Sequence, residues 1–400
     1  MPSSTKPKSV AIITHFHASQ NYGGVLQAYA LQIIVADIGY TAEQLRYNTT
    51  SQDTEHASLP SRILKKCSNT SSLLQAVCVA ANLYLGYPLR IAGRRLFINS
   101  RRELRAKNFA AFNAQYIPSS KEYISSTIKE AAEHYDIFIT GSDQVWNPAW
   151  FHTPYYLDFV PDSKPKIAYA ASTAVSSLTE EQYAKMQPLI SRINHISVRE
   201  KNAVDLLQGM TDKKIEWVVD PTLLLTADEW NIIAKEPPIK KPFIVAYLLG
   251  DNKANRRCAA GFAKEKGMIL VTFPFVGTQR LWQLHYGDYQ CYGGPDVFIS
   301  LIRDAEYVIT DSFHAVVFST LFKKRFVVLK RNADTEVGAM NERLYSLFQI
   351  TGMERQLVSA DLDELKERIE NVCYDGVDEH IAIWREKSLA WLTNALENEL

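Results

Sequence analysis

Tyr307-Val308-Ile309-Thr310-Asp311-Ser312-Phe313-His314-Ala315-Val316-Val317-Phe318-Ser319-Thr320-Leu321 sets a short apolar run against a longer one, with two polar residues between them. Tyr307–Thr310 has the bounded, β-branched look of a strand buried on both faces, and Phe313–Leu321 that of a buried helix. Asp311 stands at the junction, where its carboxylate can cap the helix by accepting from the first free amides. His314 falls in the first turn, at the positive end of the helix dipole, which disfavours imidazolium. A neutral imidazole there is a competent base and, once protonated, a keen acid. A histidine can also merely satisfy a helix terminus. Here the apolar run behind it buries the helix and leaves the ring at a predicted ligand rim, which favours a functional role.

The same strand-then-helix unit recurs on both sides. Phe326–Leu329 follows as a strand; before it come Phe243–Leu249, a helix from Asn252, Met268–Phe273 and a helix from Asp296. Toward the N-terminus the units are Ser9–Phe16 with Gly24–Ile38, Tyr135–Thr140, Lys166–Ala171 with Thr179–Ile190, Ile196–Val198 with Glu200–Leu207, and Glu216–Val219 with Ala227–Ala234. Such alternation predicts parallel sheets covered on both faces. Lys235–Pro242 is proline-rich and charged and reads as a linker. At ~150 residues per domain, 400 residues give two or three domains. The expectation is α/β: two Rossmann-like domains, 1–235 and 242–375, whose parallel sheets face each other across a cleft, with a final helix in 376–400 placed to cross back onto the first.

Lysine plus arginine (44) equals aspartate plus glutamate (44), and 46% of residues are hydrophobic, which excludes a basic nucleic-acid binder and a disordered chain. The five cysteines form neither CxxC nor metal-ligand spacing, so no disulfide scaffold and no metal are expected. The first residues lack the apolar core of a signal peptide, and Leu73–Leu85 is too short and interrupted to span a bilayer. A cytoplasmic, soluble protein is expected. Residues 48–107 fit the alternation poorly. From Arg90 to Lys107 they carry six arginines and one lysine against Glu103. This is either a solvated helical insertion or a surface that meets anionic lipid or a diphosphate at the inner membrane face.

Ligands of open parallel sheets bind beyond the carboxyl ends of the strands. At those ends stand His15, His17, Asn21 and Gly23-Gly24; Gly141-Ser142-Asp143-Gln144-Val145-Trp146-Asn147; Arg199-Glu200; Asp220-Pro221-Thr222; Gly250-Asp251-Asn252; Asp311-Ser312-Phe313-His314; and Lys330-Arg331-Asn332. Arg199 can hold a carboxylate or phosphate in bidentate fashion, or be an ordinary surface arginine. Gly23-Gly24 opens a helix whose amides could hold a phosphate, and close helix packing explains the pair equally well. Gly141–Asn147 either places Ser142 and Asp143 against a ligand or forms a turn around a packed Trp146. No GxGxxG, Walker A, GxSxG or HExxH sequence is present, so simple dinucleotide binding, P-loop hydrolysis and zinc proteolysis lose support.

Taken together, these segments resemble the polysaccharide pyruvyl transferase family. The resemblance rests on Asn21–Gln32 (Asn-Tyr-Gly-Gly-Val-Leu-Gln-Ala-Tyr-Ala-Leu-Gln), Gly141–Asn147, Tyr156-Leu157-Asp158-Phe159, Ser197-Val198-Arg199-Glu200, Val219-Asp220-Pro221-Thr222 and Val308–His314, in that order, over about residues 9–350. It implies a GT-B-like fold with the active site between the domains, acceptor on the first and donor on the second. It implies transfer of pyruvate from phosphoenolpyruvate to two hydroxyls of one sugar, as a cyclic ketal, with release of phosphate and without a cofactor. By analogy the acceptor belongs to a surface polysaccharide precursor such as a capsule; galactose bridged at O4 and O6 is a common product, and a polyprenyl diphosphate is a candidate carrier.

His314 matches the catalytic histidine of the family and takes the acid/base role. Asp311 would cap its helix. Arg199 is the first candidate for the donor's charges, with Lys330 and Arg331 behind it; Asp143 and Gln144 would orient acceptor hydroxyls, and Asp143 could share in proton transfer. Many members carry Arg two residues before the histidine and Gly after it, where this chain has Ser312 and Ala315, so either Arg199, Arg331 or Arg343 supplies the missing cation or this branch holds a different donor. Two other classes remain open from sequence: a nucleotide-sugar glycosyltransferase on the same fold, for which no convincing base- and diphosphate-binding set is visible, and a non-catalytic sugar-binding or assembly protein.

Overall fold

The computed structural model describes residues 7–49, 99–274, 286–331 and 342–398. The first lobe contains β1 (Ser9–Ile13), α1 (Tyr22–Asp37), β2 (Thr41–Tyr47), α2 (Asn99–Tyr116), β3 (Ser119–Tyr123), β4 (Ile137–Thr140), β5 (Lys166–Ala171), α3 (Glu180–Ile190), β6 (His195–Val198), α4 (Lys201–Gln208), β7 (Ile215–Trp217) and α5 (Ala227–Ile233). The second contains β8 (Phe243–Tyr247), α6 (Lys253–Lys266), β9 (Ile269–Thr272), β10 (Tyr289–Gln290), α7 (Pro295–Asp304), β11 (Tyr307–Thr310), α8 (Phe313–Leu321), β12 (Arg325–Leu329), α9 (Glu342–Thr351), β13 (Leu357–Val358) and α10 (Leu362–Glu370). The last helix, α11 (Val377–Glu397), follows.

Every strand pairing is parallel, in the order β3-β2-β1-β4-β5-β6-β7 for the first sheet and β10-β9-β8-β11-β12-β13 for the second. The two Rossmann-like lobes are the parallel-sheet α/β domains that the alternation predicts, in the GT-B-like architecture that the resemblance implies. In each sheet the order turns back at one place, between β1 and β4 and between β8 and β11. There the crossovers leave on opposite faces and open a crevice at the strands' carboxyl ends. His15 and Asp143 follow the first pair of strands, and Gly250 and, in the first turn of α8, His314 follow the second, so topology gathers each pair at its own crevice.

Four strands, β2, β3, β10 and β13, were not among those expected. β2 and β3 lie at or beside a sheet edge and leave several residues partly or fully exposed, so Thr41-Ala-Glu-Gln-Leu-Arg-Tyr and Ser119-Ser-Lys-Glu-Tyr carry too much polarity to read as buried strands. β10 and β13 are two-residue edge pairings with almost no pattern to detect. β1 also stops at Ile13, short of the expected Phe16.

Instead of an open cleft throughout, the lobes share an apolar seam. Tyr22 stacks on Phe298 with centroids 4.5 Å apart, and lies 5.4 Å from Phe273 and 5.8 Å from Tyr247. Its hydroxyl donates to the Gly293 carbonyl at 2.9 Å. Arg105 of α2 covers that ring, 4.8 Å from its centroid, and donates to the carbonyls of Pro274 (2.9 Å) and Gln20 (2.7 Å). Of the basic run 90–107, residues 90–98 lie outside the described residues, as does most of the expected insertion. Arg105 at the described end is buried in the seam rather than presented to a surface. From the other side α11 returns to the first lobe: the Ser388 hydroxyl accepts from the Val219 amide (3.0 Å), Arg385 Nε donates to the Leu223 carbonyl (2.8 Å), and Trp384 lies 4.3 Å from Trp217.

Arg105→Ala removes two charge-assisted hydrogen bonds and a cation–π contact from the seam. It is expected to cost about 2–3 kcal/mol in denaturant unfolding, with circular dichroism unchanged before the transition.

Candidate functional site

The junction of β11 and α8 is held from below. Thr310 Oγ1 donates to the Tyr247 carbonyl at 2.6 Å and accepts from the Ser312 amide at 3.0 Å. Ser312, not Asp311, is the N-cap of α8, and its side chain makes no capping bond. Asp311 therefore does not cap the helix. Its carboxylate turns to the neighbouring strand's loop, accepting from the amides of Leu249 (2.6 Å) and Gly250 (2.7 Å), and Arg331 Nη2 donates to its carbonyl at 3.0 Å. Beside the β8 loop the Asp311 carboxylate thus gains two backbone amides and, at 3.5 Å, the Arg331 guanidinium. His314 is the second residue of α8 and is only 5% exposed.

Helix α1 of the first lobe runs directly onto that imidazole. A Cβ on Gly23 would stand 1.9 Å from His314 Nδ1, and one on Gly24 3.1 Å from the His15 carbonyl and 3.4 Å from Asp143 Oδ2. Asn21 caps α1 by accepting from the Gly23 amide at 3.1 Å, so that amide is occupied. Gly23 thus serves close approach between the lobes and Gly24 close approach within the first, where the Asp143 carboxylate lies against it.

The first lobe meets His314 with a buried charge cluster. Arg199 Nη1 donates to Asp220 Oδ2 at 2.7 Å, Nε lies 3.3 Å from Glu200 Oε1, and Nη2 lies 3.6 Å from Asp143 Oδ1. Its guanidinium also covers the Phe313 ring at 4.6 Å. Burial works against the charge of Arg199, yet Asp220, Glu200 and Asp143 outweigh it and hold its pKa above the ordinary arginine value. Asp220 Oδ2 lies 3.6 Å from His314 Nε2, across the lobe boundary. Its other oxygen accepts from the Thr222 amide (3.0 Å) and hydroxyl (2.7 Å). Burial pushes the Asp220 carboxyl up, but His314 and Arg199 overcome this and hold it far below 3.8. For Asp143 burial again opposes, and Arg199, His314, His15 and Arg343 together keep it below 3.8. Asp143 has a left-handed backbone, with φ of 62°.

Two further guanidiniums approach this cluster from the second lobe. Arg343 of α9 is buried, and burial together with the repulsion of Arg199 and Arg331 pushes its pKa down to about 10. Three guanidiniums thus act on one region. Lys330 sits half-buried at the end of β12, with its carbonyl accepting from Asn255. Two expected contacts turn inward. Ser142 is fully buried, its hydroxyl 2.8 Å from the Ala170 carbonyl and 3.1 Å from Asp220 Oδ2. The Gln144 carbonyl accepts from Asn147 at 2.9 Å. Both shape the loop that presents Asp143.

His314 Nε2 and Arg199 Nη2 are buried without a hydrogen-bond partner in ordinary reach. Each lies 3.6 Å from a carboxylate oxygen, of Asp220 and Asp143 respectively, on the side of the cluster that faces the other lobe. An imidazole with a carboxylate behind it can hold and release a proton, and the guanidiniums can receive an anion. Asp220, Glu200 and His15 had been seen at strand ends without an assigned role. The motif Val219-Asp220-Pro221-Thr222 was the available signal, but nothing local to it announces a contact with a residue 94 positions later.

Because Asp220 and Asp143 have depressed folded pKa values, their stabilisation is present above the unfolded carboxyl value and is lost as the pH falls through 3.8 toward the folded values. Asp220→Asn is expected to cost about 3 kcal/mol near neutral pH, because Arg199 loses its shortest ion pair. It is also expected to flatten the acid limb of the stability curve. Denaturant titrations between about pH 3 and about pH 7 check both.

A family model, Polysaccharide pyruvyl transferase, matches residues 21–332. No curated protein matches the chain. Solved structures similar to it include the UDP-GlcNAc 2-epimerase of Methanocaldococcus jannaschii in complex with UDP-GlcNAc and UDP, at 10% identity and TM-score 0.45, over 92% of this chain and 93% of that one. Others are the trehalose-6-phosphate synthase OtsA (9%, 0.47, 98% of each chain) and the glycotransferase of kitacinnamycin (12%, 0.44, 99% and 100%). The matched segment runs from the cap of α1 through α8 to the end of β12 and so takes in Asp143, Arg199, Asp220 and His314; this chain belongs to the polysaccharide pyruvyl transferase family.

Proposed function

We propose that the protein transfers pyruvate from phosphoenolpyruvate to two hydroxyls of one sugar in a surface polysaccharide precursor, forming a ketal and releasing phosphate. The observation that carries this reading is His314 Nε2 of one lobe facing Asp220 of the other at 3.6 Å, with Arg199, Arg331 and Arg343 charging the same region.

The donor brings a carboxylate and a phosphate into one small site, which calls for fixed cations. Arg331 and Arg343 supply them in this reading. Arg199 is already engaged by three carboxylates, one at each nitrogen, and so offers the donor charge rather than a bidentate grip. His314 gives a proton to C3 as the first hydroxyl attacks C2, and Asp220 is the counter-charge for the proton the ring holds. The neutral ring then accepts the proton of the attacking hydroxyl. Phosphate leaves, and the second hydroxyl closes the ring. Of the two hydroxyl protons one ends on C3 and the other leaves with phosphate, so the sequence balances. Asp143, held ionised, is suited to accept a hydrogen bond from an acceptor hydroxyl and poorly suited to store a proton.

The glycosyltransferase alternative has less support. The amides at the end of β8, where a donor diphosphate would approach a Rossmann-like sheet, are filled by Asp311. Galactose as acceptor, the 4,6-linkage and a polyprenyl diphosphate carrier belong to the proposal through the resemblance. Action at the inner membrane face rests on the basic run 90–107 alone. No helix among the described residues is long and apolar enough to cross a membrane.

Incubation with phosphoenolpyruvate and a panel of p-nitrophenyl, nucleotide-linked and lipid-linked hexosides is expected to yield one product heavier by a single pyruvyl ketal, with equimolar phosphate. His314→Ala is expected to lower turnover by about a thousandfold with folding retained. Gly23→Ala, whose methyl would displace the imidazole, is expected to lower it by about a hundredfold. Wild-type turnover in His314→Ala would remove the histidine from the mechanism.

A further inference from the structure

The loop that delivers Asp143 continues into a second feature. Its next residues form the short turn Pro148–Trp150, fixed by Asn147 Oδ1 accepting from the Ala149 amide at 2.9 Å, and then Thr153–Tyr156. Between this loop and the ends of β1 and β2 lies a cavity of about 380 Å³, lined by His15, Tyr47, Asn48, Trp150, His152 and Tyr155. Tyr155, only 3% exposed, is its floor: the His15 ring stands edge-on at 4.4 Å, Tyr47 at 5.7 Å and His152 at 6.3 Å. Trp150 stands at the rim with half of its surface in solvent.

An exposed tryptophan is by itself unremarkable, since folded proteins show much apolar surface. This one has company that a chance exposure would lack. The volume lies within the range of small-molecule sites. The lining joins aromatic faces, which suit the apolar C–H face of a pyranose, to imidazole and carboxamide groups, which suit its hydroxyls. Its wall also connects to the charge cluster. The His15 carbonyl and Asp143 Oδ2 both lie against Gly24, and Asp143 is the carboxylate whose charge reaches His15 as well as His314. A ring seated here would have the first lobe's chemistry at one end and solvent, for the rest of a glycan, at the other.

We infer that this cavity is the acceptor subsite, binding one hexose with its ring on Trp150 and Tyr155 and the hydroxyls to be bridged turned toward Asp143. The inference rests on the pyruvyl-transfer reading and adds to it the place of the sugar and the residue that selects a pyranose. The donor is held across the lobe boundary by different residues, so the two substrates respond separately to substitution.

The test uses the p-nitrophenyl hexoside that the full-length protein turns over best with phosphoenolpyruvate. Trp150→Ala is expected to raise the KM for that hexoside about tenfold, while the KM for phosphoenolpyruvate and kcat stay within about twofold. Trp150→Phe keeps an aromatic face and is expected to stay within about threefold of the wild type on all three. A hexoside KM that does not move in Trp150→Ala overturns the inference, as does a parallel loss in both substrates and kcat, which would mark a structural role. If the wild type pyruvylates no sugar while phosphoenolpyruvate still binds in calorimetry, the functional reading falls and the subsite with it.

Discussion

Three carboxylates, those of Asp143, Glu200 and Asp220, are buried around a single guanidinium. Without Arg199 the arrangement would be untenable, because each unpaired buried charge costs several kcal/mol. With it, Asp220 keeps an ionised oxygen facing His314 and Asp143 keeps one facing the sheet's carboxyl end. Arg199 is therefore less a ligand-binding arm than the counter-charge that lets the acidic side of the site exist. All three of its nitrogens face these carboxylates, beside the place where the second lobe brings in its own cations.

The lobes are coupled through that place. The glycine at position 23 lets α1 abut the imidazole, and one residue earlier Tyr22 enters the apolar seam with Phe298, Phe273 and Tyr247. A shift of the lobes that separates Tyr22 from Phe298 would also move Gly23 from His314 and His314 from Asp220. Packing and chemistry share one helix start, so the geometry of the proton-handling pair is set by burial of an aromatic ring rather than by a flexible hinge.

A division of labour between the sides follows. The second lobe contributes Arg331, Arg343 and the imidazole; the first contributes carboxylates and, beyond them, an aromatic cavity. In the proposed reading, an anionic donor and a polyhydroxyl acceptor would be sorted by this asymmetry before any specific contact forms, since charge draws one to the guanidiniums and an apolar face draws the other to tryptophan and tyrosine.

The alternation of apolar runs was sufficient for two parallel-stranded α/β lobes, because a strand buried on both faces and its covering helix leave a local imprint that Tyr307–Leu321 carries in full. It was insufficient for β2 and β3, whose half-exposed faces break that imprint. His314, Arg199 and Asp143 were legible because strand ends are predictable places, and the family motifs mark them. What each one touches was not. A carboxylate at a helix start is locally a cap, yet Asp311 is drawn to amides sixty residues earlier in the chain; a surface-type arginine is in fact enclosed; and Asp220 gains its meaning only from a histidine in the other lobe. Sequence determines the elements and the residue types at their ends, since these depend on neighbours along the chain. The pairing of charges across the lobe boundary is decided by tertiary structure, since Coulomb attraction and desolvation act through space and take no account of separation in sequence.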